Sequence, residues 1–582
     1  MNSSNSKLKQ FFLDLFAYQQ NDEYNFTLPE TQEEKNSINN PFDYNNPPNE
    51  DLKPFGNINK FLAFSLQENL TYIKTKYNTL INSDIIIREF SINVRNRQYN
   101  AFLIFIDGMV DTELINRFVL HPLMLRNKAN TYNGSIEEVT SNILKNNIKI
   151  QKKDKFDLTD YIYNSLLPQN DVKKATNFDE IFPQVNFGSC ALFVDTINTC
   201  FVMDVKGFEK RSISPPQNEL VIQGPQEAFI ESIRTNTSLL RRGVNNENLI
   251  IEDLSVGEIS KTKCAICYIN GIANNELIAE VKYRINNLGV DYLLSSGHLE
   301  ELIVDHPNSS LPQILWTERP DTSVTYLLEG RIIVLVNGSP FSLVIPATFF
   351  DFLTSVEDSN LNHKFANMLR FLRLLASFVT LLLPGLYVAI TTYHQELIPT
   401  ELLHAIVASR SSVPFPIIFE IFLMEISFEL IREAGLRAPS AIGSTIGIIG
   451  AIVLGDAAVS ASIVSPILII IIAITGLSSF AIPNYSISFH FRISRFVYTI
   501  LAAIGGFLGI AFGLFIYLAI LCTIKSFGVP YLAPYVPVTD IENSGFMSDP
   551  IWKKEKRSDA LNTKRPRKQD HISMKWRQGG KN

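Results

Sequence analysis

The chain has 582 residues, of which 46% are hydrophobic and 19% are charged, and its formal net charge is −6. A single core seldom grows beyond about 250–300 residues, so this length predicts several domains. The charged fraction is below the roughly 25% of typical soluble domains, and the deficit is concentrated between residues 372 and 523. These values exclude a fully soluble enzyme, a wholly disordered chain and a disulfide scaffold. They predict a soluble head attached to a membrane domain.

The five cysteines are too few for a disulfide framework in a chain of this length. Cys264 and Cys267 form a C-x-x-C inside a predicted buried strand, but no second Cys or His pair stands at zinc spacing. We therefore favour free thiols and predict neither a metal nor a cofactor. The chain contains no P-loop, H-E-x-x-H or G-x-S-x-G motif, and we predict that it is not an enzyme.

Residues 1–60 are rich in Asn and Pro and cannot bury enough apolar surface to offset their ordering entropy, so they are predicted to be disordered. From residue 61 onward, predicted strands and helices alternate. This order predicts an α/β head of two subdomains in series, 61–215 and 216–365. Near the start of the second subdomain, Gly224 and Pro225 are typical of a helix start, which predicts a helix over 225–240.

An all-α, multi-span membrane domain is predicted over residues 366–530. Five apolar segments are long enough to be spans, namely 374–392, 414–431, 441–459, 463–482 and 496–523.

Residues 531–582 are predicted to form a basic cytoplasmic tail. From Ile551 onward the chain carries 11 Lys/Arg and 3 Asp/Glu, the balance that an anionic cytoplasmic leaflet attracts. A nucleic-acid-binding tail is disfavoured because basic and aromatic residues are not interleaved over a folded domain.

The flanking charges and the number of spans conflict. Arg370 and Arg373 before the first span and the basic tail after the last one require an even number of crossings, whereas five spans give an odd number. Either one glycine-rich segment crosses half of the membrane, or the short apolar stretch 341–353 enters it.

Three acids, Glu420, Glu425 and Glu429, lie within the second predicted span. Each intramembrane acid costs on the order of 2.5–3.5 kcal/mol unless it is paired or solvated. The functional hypothesis is an ion or proton path, or a polar contact with a partner subunit. The structural alternative is a cluster in which the acids pair with Arg432 and Arg437.

Glycines recur in two spans. Gly443 and Gly447 lie on the third span, and Gly505, Gly509 and Gly513 form a G-x-x-x-G ladder on the last one. Such spacing allows close helix–helix approach. Packing within the chain and oligomerisation both remain open.

Several motifs together point to a known family. They are Gln223 to Gly243, Thr317-Glu-Arg-Pro-Asp321, Glu329-Gly-Arg-Ile332, Pro414-Phe-Pro416, Leu423 to Gly435, Gly455-Asp-Ala-Ala-Val459, Val464-Ser-Pro466, Phe480-Ala-Ile-Pro483 and Pro550-Ile-Trp552. Because these motifs occur together in this order, the chain resembles the A subunits of bacterial spore germinant receptors, the GerA family. The resemblance covers about residues 85–567.

The resemblance implies a non-enzymatic membrane subunit of a spore nutrient sensor in the spore inner membrane, with its head facing the cytoplasm, or spore core. It implies a transporter-like B subunit and a lipoprotein C subunit as partners, and release of monovalent cations followed by calcium and dipicolinate. We expect a homo-oligomeric, ion-conducting assembly with the three acids as its polar lining. The alternatives are a secondary transporter with a cytosolic regulatory domain, which paired broken helices would favour, and a passive assembly scaffold.

The head motif is expected to couple the head to the membrane from the interface between the subdomains. Its candidate residues are Gly224, Pro225, Glu227, Arg234, Asn236 and Arg241.

Overall fold

The protein is described from a computed structural model. It covers residues 26–28, 61–94, 97–125, 157–207, 215–437, 455–538, 546–547, 549–550, 554 and 556–568. The predicted disorder of residues 1–60 lies outside the described residues, apart from 26–28.

The first subdomain is built on an antiparallel five-stranded sheet with strand order β1-β2-β4-β5-β3. Its strands are β1 (Ile85–Val94), β2 (Arg97–Ile106), β3 (Val172–Ala175), β4 (Ser189–Val194) and β5 (Cys200–Asp204). Its helices are α1 (Leu66–Lys76), α2 (Thr112–Leu114, continuing through Ile115–Leu120 and His121–Leu125), α3 (Leu158–Tyr161 with Ile162–Leu166) and α4 (Phe178–Asn186). In β2, Phe102 and Ile104 pack under α1 and α4, whereas Leu103 packs under α2 and α3, so both faces of the sheet are buried.

The second subdomain repeats this topology. Its sheet is antiparallel with order β6-β7-β9-β10-β8, which places the five strands in the same relative order as in the first sheet. The strands are β6 (Leu249–Val256), β7 (Thr262–Ile269), β8 (Leu315–Thr317), β9 (Ile332–Val336) and β10 (Ser342–Ile345). The helices are α5 (Ile233–Gly243), α6 (Asn275–Asn286), α7 (Ser296–Ile303) and α8 (Pro320–Glu329). The head is therefore a duplicated unit.

The predicted helix start at Pro225 is wrong, because α5 begins eight residues later, at Ile233. The backbone before α5 is bound to another part of the head. Phe229 N–H donates to Glu318 O at 2.7 Å, and Pro225 O accepts from Arg319 Nη2 at 2.7 Å. These long-range hydrogen bonds replace the helical ones that the local sequence favours.

Among the described residues, five helices of more than ten residues follow the head. They are α9 (His363–Tyr393), α10 (Thr400–Arg410), α11 (Ile417–Arg437), α12 (Pro466–Phe480) and α13 (Tyr485–Thr523). Among the described residues, α9 and α13 are long and apolar enough to cross a membrane, and α12 is a shorter apolar helix. The predicted spans 414–431 and 463–482 correspond to α11 and α12. Most of the predicted span 441–459 lies outside the described residues.

Helix α13 folds back on itself. Gly506 interrupts it with φ 55° and ψ −136°, a conformation that residues with a side chain rarely adopt. The rings of His490 and Tyr517 lie 5.7 Å apart, although 27 residues of straight helix would separate them by about 40 Å. The predicted span 496–523 therefore contains a chain reversal, and the segment belongs to an antiparallel hairpin of two helices. The apolar sequence is compatible both with one long span and with a hairpin, because the two structures differ in the backbone conformation of a single glycine, Gly506.

The chain returns to the head after this hairpin. Two short strands, β11 (Lys525–Ser526) and β12 (Val529–Pro530), follow α13. Ser526 Oγ donates to Gln313 O at 2.6 Å, and Tyr531 OH donates to Pro312 O at 2.7 Å. The stretch 341–353 also lies in the head, where it contains β10 and the fully buried Phe352.

Candidate functional site

The first of the three acids, Glu420, is paired within the chain. Its side chain is 1% exposed, and Oε1 accepts from Arg410 Nη2 at 3.1 Å. Oε2 accepts from the backbone N–H of Ser465 at 3.2 Å. Glu420 therefore joins α10, α11 and the start of α12.

Glu429 binds two arginines of α13. Arg492 Nη1 donates to Oε2 at 2.7 Å, and Arg495 Nη2 donates to Oε1 at 2.9 Å. Glu425, one turn earlier on α11, has a fully buried side chain, and its nearest cation is Arg495 Nε at 3.6 Å. Among the described residues, neither Glu425 oxygen has a hydrogen-bond partner. The two arginines are thus directed at Glu429, and Glu425 lies beside them as an incompletely satisfied acid.

The structural alternative, in which the acids pair with Arg432 and Arg437, does not hold. Arg432 Nη1 donates to Ser479 Oγ at 3.1 Å, and its guanidinium lies 4.4 Å from the Phe480 ring centroid. Arg437 pairs with Glu433 on the helix surface at 2.6 Å. The acids pair instead with arginines of other helices, which the fold brings close to them.

The counterions that the sequence did not reveal are Arg410, Arg492 and Arg495. Arg492 and Arg495 lie on consecutive turns of α13 and are 5% and 2% exposed. Two arginines at i and i+3 beside an apolar run are a signal that could have indicated counterions for the acids of another span.

Arg241 of α5 connects the two subdomains. Its Nε and Nη2 donate to the two carboxylate oxygens of Asp84 at 2.8 Å each, and Nη2 also donates to Asn82 Oδ1 at 3.1 Å. The structure thus places Arg241 at the predicted subdomain interface, fully buried.

Arg234 lies at the same interface, and Asn236 does not. Arg234 forms an ion pair with Asp107, which precedes β-turn residue Gly108 of the first subdomain. Asn236 acts locally, since its Oδ1 accepts from Ile230 N at 2.8 Å and its Nδ2 donates to Ile230 O at 2.5 Å. It fixes the turn that leads into α5.

The remaining residues of the head motif hold the segment that joins the subdomains. Glu227 pairs with Arg242. Gly224 has φ +140°, and a Cβ there would lie 2.6 Å from Asn360 Nδ2. Close approach to the residues just before α9 therefore requires a glycine at 224.

The Thr317 to Asp321 motif binds this same segment. Glu318 Oε1 accepts from the backbone N–H groups of Asn218 at 2.5 Å and Glu219 at 2.8 Å. Thr317 Oγ1 donates to Glu219 Oε2 at 2.5 Å. Burial raises the pKa of Glu219 to about 7, and the Thr317 hydrogen bond opposes this shift. Two segments about 100 residues apart in sequence therefore form one polar contact.

Two basic residues in the first part of α9 are bound to the end of the head. Asp358, which is 3% exposed, accepts from Arg370 Nε at 3.0 Å and from Arg373 Nη1 at 2.7 Å. Across the same junction, Trp316 Nε1 donates to Ser486 Oγ at 3.0 Å. The head and the helices are thus joined by two ion pairs at the start of α9 and by a hydrogen bond between residues 170 positions apart in sequence.

A cleft of about 1260 Å³ opens beside this junction. Its walls include Trp316 of the head, Arg432 of α11, Tyr485 and Ser488 of α13, and Lys568 of the tail. The described part of the tail lies on the head, since Arg557 Nε donates to Leu328 O at 2.7 Å.

The three glycines of the last predicted span, Gly505, Gly509 and Gly513, differ in what surrounds them. A Cβ at Gly509 would overlap the Leu501 carbonyl oxygen, and one at Gly513 would lie 2.7 Å from Leu501 Cδ1. A Cβ at Gly505 meets nothing within 4 Å. Gly509 and Gly513 thus lie in the contact between the two arms of the α13 hairpin. Gly443 and Gly447 lie outside the described residues.

Cys264 and Cys267 are free, buried thiols on opposite faces of β7, Cys264 in the core under α6 and Cys267 in the core under α5. No group of three or more His, Cys, Asp or Glu side chains is positioned to hold a metal ion in the part of the chain that the structure describes.

These features define a class of protein. A duplicated antiparallel head is joined through buried ion pairs to a bundle of helices, two of which have the length and composition of membrane spans.

Comparison with known proteins identifies the family. The profile described as Bacillus/Clostridium GerA spore germination protein matches residues 71–560. Spore germination protein KA of Bacillus subtilis is 37% identical over 499 residues, which are 85% of this chain and 87% of that protein. GerQA of Bacillus cereus is 41% identical over 383 residues, which are 65% of this chain and 77% of that protein. The chain belongs to the GerA family of spore germination proteins.

A solved structure is also similar. The crystal structure of the N-terminal domain of the A subunit of the Bacillus megaterium spore germinant receptor GerK3 is 32% identical to this chain. It covers 50% of this chain and 99% of its own, with a TM-score of 0.35.

Proposed function

We propose that this protein is the A subunit of a spore nutrient-germinant receptor and triggers germination as a non-enzymatic component of the spore inner membrane. Membership of the GerA family is the observation that carries this proposal. In this proposal several copies assemble with a B and a C subunit. The test is deletion of the gene followed by nutrient challenge of the spores. In a strain whose other germinant-receptor genes have been deleted, unchanged germination with every nutrient tested would contradict the proposal.

We propose six membrane crossings with the head and the tail on the same, cytoplasmic side. The hairpin of α13 supports this number, because it divides the last of the five apolar segments into two arms. An even number also agrees with the return of β11 and β12 to the head. Single cysteines near Gly506, labelled from outside the membrane in intact cells, test this topology. Labelling only after the membrane is made permeable would contradict it.

We propose that the assembly conducts cations along a path that includes Glu420, Glu425 and Glu429. The supporting observation is Glu425, a buried acid whose oxygens have no hydrogen-bond partner among the described residues. In this arrangement the arginine pairs of Glu420 and Glu429 stabilise the closed state, and opening requires these pairs to separate.

Cation flux from liposomes that contain the purified chain tests the path. The wild type is compared with the triple Glu→Gln variant at 420, 425 and 429, and with Glu433→Gln as the matched control. Glu433 lies on the same helix but is exposed and pairs with Arg437. Flux that is lost in the triple variant and retained in Glu433→Gln supports the path. Equal flux in all three proteins contradicts it.

We propose that Arg234 and Arg241 transmit changes in the first subdomain to the helices, through the second subdomain to which α9 is joined. Their ion pairs with Asp107 and Asp84 support this role. An Arg234→Ala receptor that assembles and responds to nutrient as the wild type does would contradict it. A secondary transporter gains no support, since the repeat that the structure contains lies in the head and not among the described helices.

A further inference from the structure

Residues 26–28 lie on the second subdomain, although Phe61, the next described residue, belongs to the first one. Leu28 is 3% exposed and belongs to the apolar core that α6 and α7 cover. Phe26 is partly buried against the same core, whereas Thr27 is exposed. Alternate side chains of this segment thus face the head, as in an extended peptide whose side chains enter pockets on a protein surface.

The turn that joins β11 to β12 lies against Phe26 and Leu28. Its two central residues, Phe527 and Gly528, have positive φ angles of 48° and 78°, as a type I′ hairpin turn requires. A Cβ at Gly528 would lie 2.6 Å from the Leu28 nitrogen and 2.9 Å from Phe26 Cδ1. Because residue 528 has no side chain, the N-terminal segment can lie directly on the turn.

Phe527 needs contacts that hold it, since a positive φ is unfavourable for a bulky residue and persists only where the surroundings fix it. Its N–H donates to Asp305 Oδ2 at 2.5 Å, and its ring centroid lies 4.3 Å from the Arg284 guanidinium. Its fully buried side chain belongs to the same core as Leu28. The head and the N-terminal segment therefore both contribute to fixing this turn.

The same turn is the place where the chain returns from the helices to the head. Helix α13 ends at Thr523, and Tyr531 N–H donates to Ile524 O at 3.1 Å across the hairpin of β11 and β12. A segment that fixes the turn therefore also fixes the end of α13 relative to the second subdomain.

The contact made by residues 26–28 is small. One leucine is buried and one phenylalanine is partly buried, and the free energy gained is of the same order as the conformational entropy lost by three ordered residues. Such a segment binds reversibly. Residues 29–60 connect it to Phe61, so it rebinds within the chain at a high effective concentration.

We propose that the β11–β12 turn is a docking site for an apolar peptide, and that Phe26 and Leu28 are its ligand within the same chain. The docked segment fastens the end of α13 to the head, and its release loosens this connection. The site accepts a separate peptide with the same spacing of two large apolar side chains. This inference is independent of the proposed function, since it concerns a contact within the chain.

Hydrogen exchange of the full chain, purified in detergent, tests the proposal. The readout is the exchange rate of the backbone amides between residues 524 and 531, which include the Phe527 and Tyr531 donors. Leu28→Asp places a charge that the apolar core cannot accommodate, and it therefore releases the segment. Thr27→Asp is the matched control, because it adds the same charge at the neighbouring, exposed position.

Leu28→Asp is expected to speed exchange between residues 524 and 531 by at least about tenfold, since the burial of a leucine is lost. Exchange in β7 and β9 is expected to stay unchanged, and Thr27→Asp is expected to behave as the wild type does. A synthetic peptide of residues 22–32, added to the Leu28→Asp chain, is expected to restore slow exchange. The same peptide with Leu28→Asp is expected to have no effect.

Equal exchange in Leu28→Asp and Thr27→Asp would overturn the proposal. Faster exchange in β7 and β9 as well would also overturn it, because Leu28 would then be an ordinary part of the core and not a detachable ligand. A wild type whose exchange between residues 524 and 531 quickens on dilution would place the segment of a second copy on the turn. That result would overturn docking within one chain.

Leu28→Ala replaces Leu28→Asp if the aspartate variant does not fold, since it removes most of the buried side chain without adding a charge. It is expected to speed exchange between residues 524 and 531 by a smaller factor, and the peptide of residues 22–32 is expected to reverse this change. No response to the peptide in a folded Leu28→Ala chain would overturn the peptide site.

Discussion

Replacement of Arg241 by alanine is expected to destabilise the joint between the subdomains by about 3–5 kcal/mol. The Arg241 side chain is 2% exposed and holds both carboxylate oxygens of Asp84 at 2.8 Å. Without the guanidinium, Asp84 remains buried without its cation, and Asn82 Oδ1 loses a donor. Removal of one partner of a buried ion pair typically costs about 3–5 kcal/mol.

Thermal unfolding of the full chain in detergent measures this loss. A change of 1 kcal/mol shifts Tm by roughly 2–4 °C for a unit of 150–250 residues, so the head transition is expected to fall by on the order of 6–20 °C. Arg242→Ala is the matched control, because the neighbouring arginine is partly exposed and pairs with Glu227 at the surface. Surface pairs contribute about 0–1 kcal/mol.

A shift for Arg241→Ala no larger than that for Arg242→Ala would refute the reasoning. A double variant provides a second check. Arg241→Met combined with Asp84→Leu removes both charges and is expected to recover a large part of the lost stability, since apolar replacement of a buried pair is often neutral. If the double variant is as unstable as the sum of the single changes, the uncompensated charge of Asp84 is not the cause.

Three further predictions concern other contacts. Because burial raises the pKa of Glu219 from 4.5 to about 7, the folded chain binds more protons than the unfolded chain between these values, and stability falls as pH rises through them. Glu219→Gln should remove up to about 3 kcal/mol of this decline, and a Tm difference from wild type that is constant between pH 5 and 8.5 would contradict this. Gly509→Ala should lower Tm, with a loss of about 1–3 kcal/mol from overpacking, whereas Gly505→Ala should not; equal shifts would argue against the hairpin contact. Asp358→Asn should speed proteolytic separation of the head from α9, because it weakens two buried ion pairs, and an unchanged cleavage rate would show that these pairs do not hold the junction.

Much of the head could be predicted from local patterns. The predicted alternation of strands and helices from residue 61 onward is found in the head, for example in β1 (Ile85–Val94) and β2 (Arg97–Ile106), because the pattern of apolar residues is a property of neighbouring positions. The helix predicted from Pro225 was wrong for a related reason. Its start signals are local, but Glu318 and Arg319, about 90 residues away, bind the backbone that the helix would have used.

The candidate membrane site shows the same limit. Intramembrane acids are visible in the sequence, and their unfavourable burial predicts that they need partners. The identity of those partners depends on which helices meet. Arg492 and Glu429 are 63 residues apart, and no local rule selects one arginine over another at that distance.

The sequence by itself determined the division into a head and an apolar region, the family, and the residues that cannot be buried alone. These follow from composition, from periodicity and from motifs, which are all local properties. The tertiary structure decided the partner of each buried charge and the reversal of α13 at Gly506. Both depend on contacts between distant segments: Arg241 and Asp84 are 157 residues apart, and the energy of such a pair exists only once the fold has brought its two members together.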